Sequence, residues 1–187
     1  MLKRSVFIIF FVLLIDQILK IYIKTHFTLG EEVFILGRFF RLYFVENNGM
    51  AFGLEFGGSI GKFILSIVRI LVIAIIGMVL FSYIKKNENK ILIYAMSFVF
   101  AGALGNIIDS AFYGLIFSES HFLHTASIFP ESGGYAGFLQ GKVVDMIYVP
   151  LIETTLPQWM PFVGGNEFVF FRPIFNIADS AITVGVI

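Results

Sequence analysis

Charge is what this 187-residue chain has least of. Asp, Glu, Lys and Arg make up 14% of its residues, against about 25% in ordinary soluble domains. The 13 basic and 13 acidic residues cancel to a formal net charge of zero, so the basic patch that nucleic acid requires is missing and no such partner is expected. Cysteine is absent altogether, which excludes disulfides, zinc–thiolate sites and cysteine nucleophiles. Histidine is scarce: His26, His121 and His124. The last two are spaced as metal ligands can be, but Ser and Gly surround them, and neither a metal nor any other cofactor is expected.

What remains is apolar. The chain is 58% hydrophobic, its mean hydropathy is +0.90, and this composition reads as an α-helical integral membrane protein. A spanning helix needs about 20 mostly apolar residues. Three runs qualify, at about 5–23, 60–84 and 91–108, and a fourth begins near Pro173 and reaches Ile187. That fourth run is too short to span alone, so it is expected to extend onward. Pro173 suits a first helical turn. Lys3 and Arg4 before an apolar run imitate a signal peptide, but no small-x-small site follows and Asp16 and Lys20 lie in the same run, so a retained anchor is expected.

Positive charge sets the orientation. Lys3 and Arg4 precede the first span, and Lys85, Lys86 and Lys90 crowd the link between the second and third. Both should be cytoplasmic, which puts both termini inside. The segments at about 24–59 and 110–172 then face outward, although they carry Arg38, Arg41 and Lys142. Within them, a β-hairpin is expected over about 33–45 and a strand at 167–171, forming a small sheet on the outer surface. The stretch 117–141, rich in Ser, Gly and His, reads as a flexible insertion. Trp159 and the aromatic runs at 39–44 and 168–171 suit interfacial anchors. Arg69, well inside the second span, is expected to form an ion pair in the bundle. No internal repeat is present, and one membrane-embedded domain over 1–187 is expected.

The polar residues of the spans fall at one depth. Asp16 and Lys20 share a helix face at i, i+4, past the middle of an outward-running helix. Asn106 and Asp109 lie at the outer end of the third span, and Asn176 and Asp179 in the first turns of the fourth. Asn48 and Asp145 belong to outer segments. An ionisable residue in the bilayer centre costs about 2.5–3.5 kcal/mol on insertion scales and normally faces a bundle interior. A polar knot that merely locks helices is the plain reading of any one of them. Gly102, Ala103 and Gly105 are explained by close helix packing, and Lys20 by snorkelling to the headgroups. For the whole set, chemistry is the better reading. Two carboxylates held close share one proton. The ionised one can take a proton from water, while the other polarises a carbonyl and protonates a leaving amine. That is peptide hydrolysis without metal.

Five short motifs make the pattern specific. Asp16-Gln17-Ile18-Leu19-Lys20 resembles the DQxxK signature of the lipoprotein signal peptidases (signal peptidase II). Asn48-Gly49-Met50-Ala51-Phe52-Gly53 resembles their NxGxAF element, and Gly102 to Asp109 their GGxxGNxxD. Val143-Val144-Asp145-Met146-Ile147 resembles VVDF, and Phe175-Asn176-Ile177-Ala178-Asp179-Ser180 resembles FNxADxx. The resemblance implies four transmembrane helices, a β-cradle lying on the membrane and an aspartyl peptidase of the bacterial inner membrane with its site near the outer leaflet. Its substrates are diacylglyceryl-modified prolipoproteins, and globomycin is its inhibitor. By position, Asp145 and Asp179 match the catalytic pair. Asp16, Lys20, Asn48, Gly105, Asn106, Asp109, Asn176 and Ala178 match supporting positions, with Asn48 read as donating to substrate backbone. The chain departs from the pattern at Ser110, where the family usually has Arg, with Arg172 or Lys142 as substitutes. The gaps on either side of Asp145 are also longer than usual.

Two other readings remain open on the sequence. A small four-helix transporter or channel would also gather carboxylates, with Asp16 and Lys20 relaying protons. An inactive relative would bind lipoproteins through its long loops.

Overall fold

The computed structural model describes residues 1–49 and 58–187. The Met50 to Gly53 part of the second motif therefore lies outside the described residues. In hydrocarbon every backbone polar group must be satisfied within its own segment, so long apolar runs become helices. They do so at α1 (Leu2–His26), α2 (Gly58–Lys86) and α3 (Lys90–Ile108). Beyond α3 the chain continues through a π-helical turn (Asp109–Tyr113) into α4 (Gly114–Ile116). Among the described residues, three helices are long and apolar enough to cross a membrane, and a fourth apolar helix, α5 (Ile177–Val186), is shorter. The chain is thus a multi-pass helical membrane protein with a small β part.

Local chemistry sets the helix limits. The Asn89 side chain accepts the Ile91 N–H at 2.9 Å and opens α3. The last span starts later than Pro173 implies. Ile174 and Phe175 pair with Tyr148 and Ile147 as a strand, and the helix begins at Ile177 behind an Asn176 cap. Asn176 accepts the Asp179 N–H at 2.9 Å, and the Asp179 carboxylate accepts the Asn176 N–H at 3.2 Å. This reciprocal capping box satisfies two backbone donors at the helix start.

Among the described residues, six strands form at the end of the bundle where α1 and α3 finish. β1 (Glu32–Leu36), β2 (Phe40–Asn47), β3 (Val143–Tyr148) and β6 (Ile174–Phe175) make one antiparallel sheet in the order β1-β2-β3-β6. β4 (Ile152–Thr155) and β5 (Glu167–Phe170) form a separate antiparallel hairpin. The strand read at 167–171 thus exists, but outside the main sheet. Ile23, Phe27, Phe44, Tyr113, Phe117, Val144 and Met146 pack into one apolar core joining α1, the α3 extension and the sheet.

Parts of the 117–141 stretch pack against the body of the chain, while most of it is exposed. Phe117, Ser120, Ala126 and Leu139 are buried. Tyr135 N–H reaches the Phe117 carbonyl at 3.1 Å, and Gly141 N–H the Ser110 carbonyl at 2.8 Å. A Cβ on Gly141 would lie 2.2 Å from the Asp109 carbonyl oxygen. Glycine is needed there for close approach.

α3 is the shared wall of the bundle, touching α1, α2 and α5. Its small residues set the spacing: a Cβ on Gly102 would come within 2.2 Å of the Ala178 carbonyl oxygen on α5. Gly102→Val therefore forces α3 and α5 apart. We expect a loss of about 1–3 kcal/mol, seen as a lower thermal unfolding midpoint in detergent. Gly137→Ala, where an added Cβ meets nothing within 4 Å, should leave the midpoint unchanged.

Candidate active site

The site is built on an ion cluster between α1 and α3. Lys20 sits one turn after Asp16, and its ammonium lies 2.9 Å from the Asp16 carboxylate and 2.8 Å from Asp109. All three side chains are fully buried. Charges removed from water need close partners and filled hydrogen bonds, and these have both. Gln17 Nε2 donates to Asp109 at 2.9 Å and to Asp16 at 3.1 Å. The remaining Asp16 oxygen accepts the Ala178 N–H at 2.9 Å, and Asp109 accepts the Val144 N–H at 3.3 Å. One cluster thereby binds the first turn of α5 and the middle of β3.

Two amides carry the arrangement forward. Asn106 Oδ1 accepts from Lys20 at 2.9 Å, while its Nδ2 donates to Asp179 at 2.8 Å. Asn176 Nδ2 donates to Asp145 at 2.7 Å and also lies 3.1 Å from Asn106 Oδ1. Each amide therefore faces the ion cluster or its neighbour on one side and an aspartate on the other. Asp145 and Asp179 line one cavity of about 240 Å³ together with Asn47, Gly49, Arg69, Asn106 and Val143. The two aspartates are 34 positions apart in sequence, on β3 and α5.

The cavity carboxylates differ in setting. Asp145 is 4% exposed. Burial and then the negative charge of Asp179 push its carboxyl up to about 7, against the opposing pull of Asn47, Lys20 and Asn176. Asp179 is half-buried at the N-terminus of α5, where a helix favours an anion.

The sequence-read positions fall into three places. Asp145 and Asp179 face the cavity; Asp16, Lys20, Asp109, Asn106 and Asn176 form the network behind it. Gly105 and Ala178 serve approach: a Cβ on Gly105 would lie 2.8 Å from Asp16 Oδ2 and 3.2 Å from Ala178 Cβ. Asn48 sits beside the cavity rather than in its wall, and its Oδ1 accepts from Lys62 at 2.9 Å. Its neighbour Asn47 reaches Asp145 instead, at 3.3 Å. Gln17, within the first motif, and Asn47, just before the second, join this arrangement although neither is among the supporting positions read from the sequence.

Two expectations about cations change. Arg69 donates to the Gly49 carbonyl oxygen and lines the cavity beside Asp179, in place of a bundle ion pair. Neither proposed substitute for the usual Arg stands at Asp109. Lys142 pairs with Glu46 at 3.2 Å, and the cation on Asp109 is Lys20. Ser110 is buried with its hydroxyl 3.2 Å from the Asn106 carbonyl oxygen. Behind it Lys24 pairs with Glu46, which also accepts from Ser120 at 2.7 Å. Burial pushes the Glu46 carboxyl up, but Lys24, Ser120 and Lys142 outweigh it and hold the group below the usual carboxylate range. Among the described residues, no group of three or more His, Asp or Glu side chains is arranged to hold a metal.

Removing Lys20 tests the network. Lys20→Met leaves two buried carboxylates without their cation, and we expect a loss of about 3–5 kcal/mol of stability. Adding Asp109→Asn should recover part of it, as read from unfolding midpoints of the single and double variants.

Known proteins resemble this chain over most of its length. The family model for signal peptidase (SPase) II matches residues 8–187. A lipoprotein signal peptidase of Porphyromonas gingivalis is 46% identical over 181 residues, covering 96% of this chain and 78% of that one. One from Amoebophilus asiaticus is 37% identical over 175 residues, covering 92% and 70%. A solved bacterial membrane enzyme superposes with a TM-score of 0.60 at 28% identity, covering 98% of this chain and 83% of that one. Motifs, buried network and relatives together place the chain in the signal peptidase II family, the lipoprotein signal peptidases, and make it a protease that cleaves lipoprotein signal peptides.

Proposed function

We propose that the protein hydrolyses the peptide bond before a diacylglyceryl-modified cysteine, using Asp145 and Asp179 as a proton-sharing pair. The observation that carries this reading is the single cavity that both carboxylates line. In the resting site Asp145 is protonated and Asp179 ionised. Water between them gives a proton to Asp179 as its oxygen attacks the carbonyl carbon. Asp145 gives its proton to the carbonyl oxygen, so the tetrahedral species forms without a free oxyanion. On collapse that proton returns to Asp145, and the proton on Asp179 passes to the leaving nitrogen. The C–N bond breaks and the starting protonation state is restored. Asn106 and Asn176 keep each carboxylate in place throughout.

The location suits the substrate. The aspartates lie at the sheet end of the bundle, opposite the α2–α3 link that carries Lys85, Lys86 and Lys90. If that link is cytoplasmic by its charge, both termini are cytoplasmic too and the site lies at the outer leaflet of the inner membrane. A lipid-anchored cysteine would present its peptide bond there. Globomycin is read as occupying the same cavity.

The test is cleavage of a purified diacylglyceryl-modified prolipoprotein, followed as signal-peptide release. Asp145→Asn and Asp179→Asn should each lower the rate at least about a hundredfold, with folding retained, and globomycin should block the wild type. Full activity in either variant would overturn the pair. The pH dependence has a definite sign. Burial and the Asp179 charge favour neutral Asp145, so the acid is present below about 7 and lost above it. Turnover should fall about tenfold per pH unit above that point.

A further inference from the structure

Arg69 lies within α2, an otherwise strongly apolar spanning helix. A cation there is costly unless it faces a polar partner or cavity. Here it does both. Its Nη2 donates to the Gly49 carbonyl oxygen, and its side chain lines the cavity that holds Asp145 and Asp179. A second, more apolar cavity of about 290 Å³ between α2, α3 and α5 shares Arg69, Asn106 and Asp179 with the first. Arg69 and Asp179 thus stand together at the junction of the two. Gly49 is shaped for this contact. Its φ is +86°, and a Cβ would lie 2.4 Å from Arg69 Nη1, so the backbone can meet the guanidinium only where no side chain intervenes.

The hydrogen bonds do not distinguish the two aspartates. Asp145 accepts from Asn176 and Asn47 side chains. Asp179 accepts from the Asn106 side chain and the Asn176 backbone. Each has two amide donors, so the asymmetry must come from elsewhere. The charged groups on the elements packed around the pair are Asp16 and Lys20 on α1, Asp109 just after α3, and Lys62 and Arg69 on α2. Lys20 is spent between Asp16 and Asp109, and Lys62 donates to Asn48. Among the described residues lining the cavity, Arg69 is the one cation.

We propose that Arg69 is a positioning residue of the peptidase site: anchored by the Gly49 carbonyl, its positive charge beside Asp179 keeps the pair's single proton on Asp145. The inference rests on the two-aspartate reading above and gives that reading its direction. An opposite charge lining the same cavity favours an ionised carboxylate. The deeper burial of Asp145 acts in the same sense.

The experiment is the pH profile of kcat at saturating prolipoprotein for the wild type, Arg69→Gln and Arg69→Lys. Folding is checked by thermal unfolding in detergent, and Asp145→Asn serves as the activity control. Arg69→Gln should move the acid limb up by about one pH unit, with about a tenfold loss of kcat on that limb and a smaller loss near the optimum. Arg69→Lys, which keeps the charge but not the forked contact with Gly49, should lower kcat and leave the acid limb at its wild-type position. An unmoved limb in Arg69→Gln would show that Arg69 only tethers the chain after β2, and would overturn the proposal. So would a fully shifted limb in Arg69→Lys, which also serves if Arg69→Gln does not fold. Wild-type activity that persists in Asp145→Asn would instead defeat the two-aspartate reading itself.

Discussion

The ammonium of Lys20, buried between Asp16 and Asp109, is the contact on which the site depends. A lysine in a membrane helix must find compensation within reach of its own stem. Asp16 supplies it from one turn back on α1, and Asp109 from the end of α3. Once those charges are fixed, the second Asp16 oxygen accepts the Ala178 N–H, and the Asp109 oxygen that holds Lys20 also accepts the Val144 N–H. A helix start and a strand interior are thereby drawn onto the same polar centre. The neighbours Asp179 and Asp145 come with them. A cluster that costs desolvation on its own supplies the registration that two distant aspartates need.

The sheet finishes the arrangement by alternation. β2 and β3 pair with Val45 opposite Asp145 and Asn47 opposite Val143. These four residues share one face, because side chains alternate along a strand. That register sends Asn47 toward Asp145 and leaves Asn48 beyond the strand end, where Lys62 meets it. A shift of one residue would turn Asp145 away from the cavity. The Lys24–Glu46–Lys142 cluster on the opposite side of β2 holds the 117–141 segment against the sheet.

Much of this was legible in the sequence, for a definite reason. Asp16 and Lys20, Asn106 and Asp109, and Asn176 and Asp179 each sit three or four residues apart, and helical periodicity alone places each pair on one face. Each pair lies toward the same end of the bundle, where the sheet forms. What escaped was whatever depends on non-local pairing. The choice between Asn47 and Asn48 is a matter of strand register. The strand at Ile174–Phe175 wins over a helix starting at Pro173 because Tyr148 and Ile147 offer hydrogen bonds across the sheet. The close approach at Gly141 depends on the Asp109 backbone, which is distant in sequence. Arg69 was visible as an anomaly, but its partner is a backbone carbonyl, which no sequence pattern marks.

If the buried Lys20 cluster holds positions 145 and 179 together at one cavity, removing it must separate them. The chain contains no cysteine, so Asp145→Cys and Asp179→Cys introduced together give the only two thiols in the protein. A short thiol-specific bifunctional reagent should join them rapidly, closing an internal loop detected by mass spectrometry after proteolysis. The same pair in a Lys20→Met background should crosslink far more slowly. Equal crosslinking with and without Lys20, or none in its presence, would contradict the account.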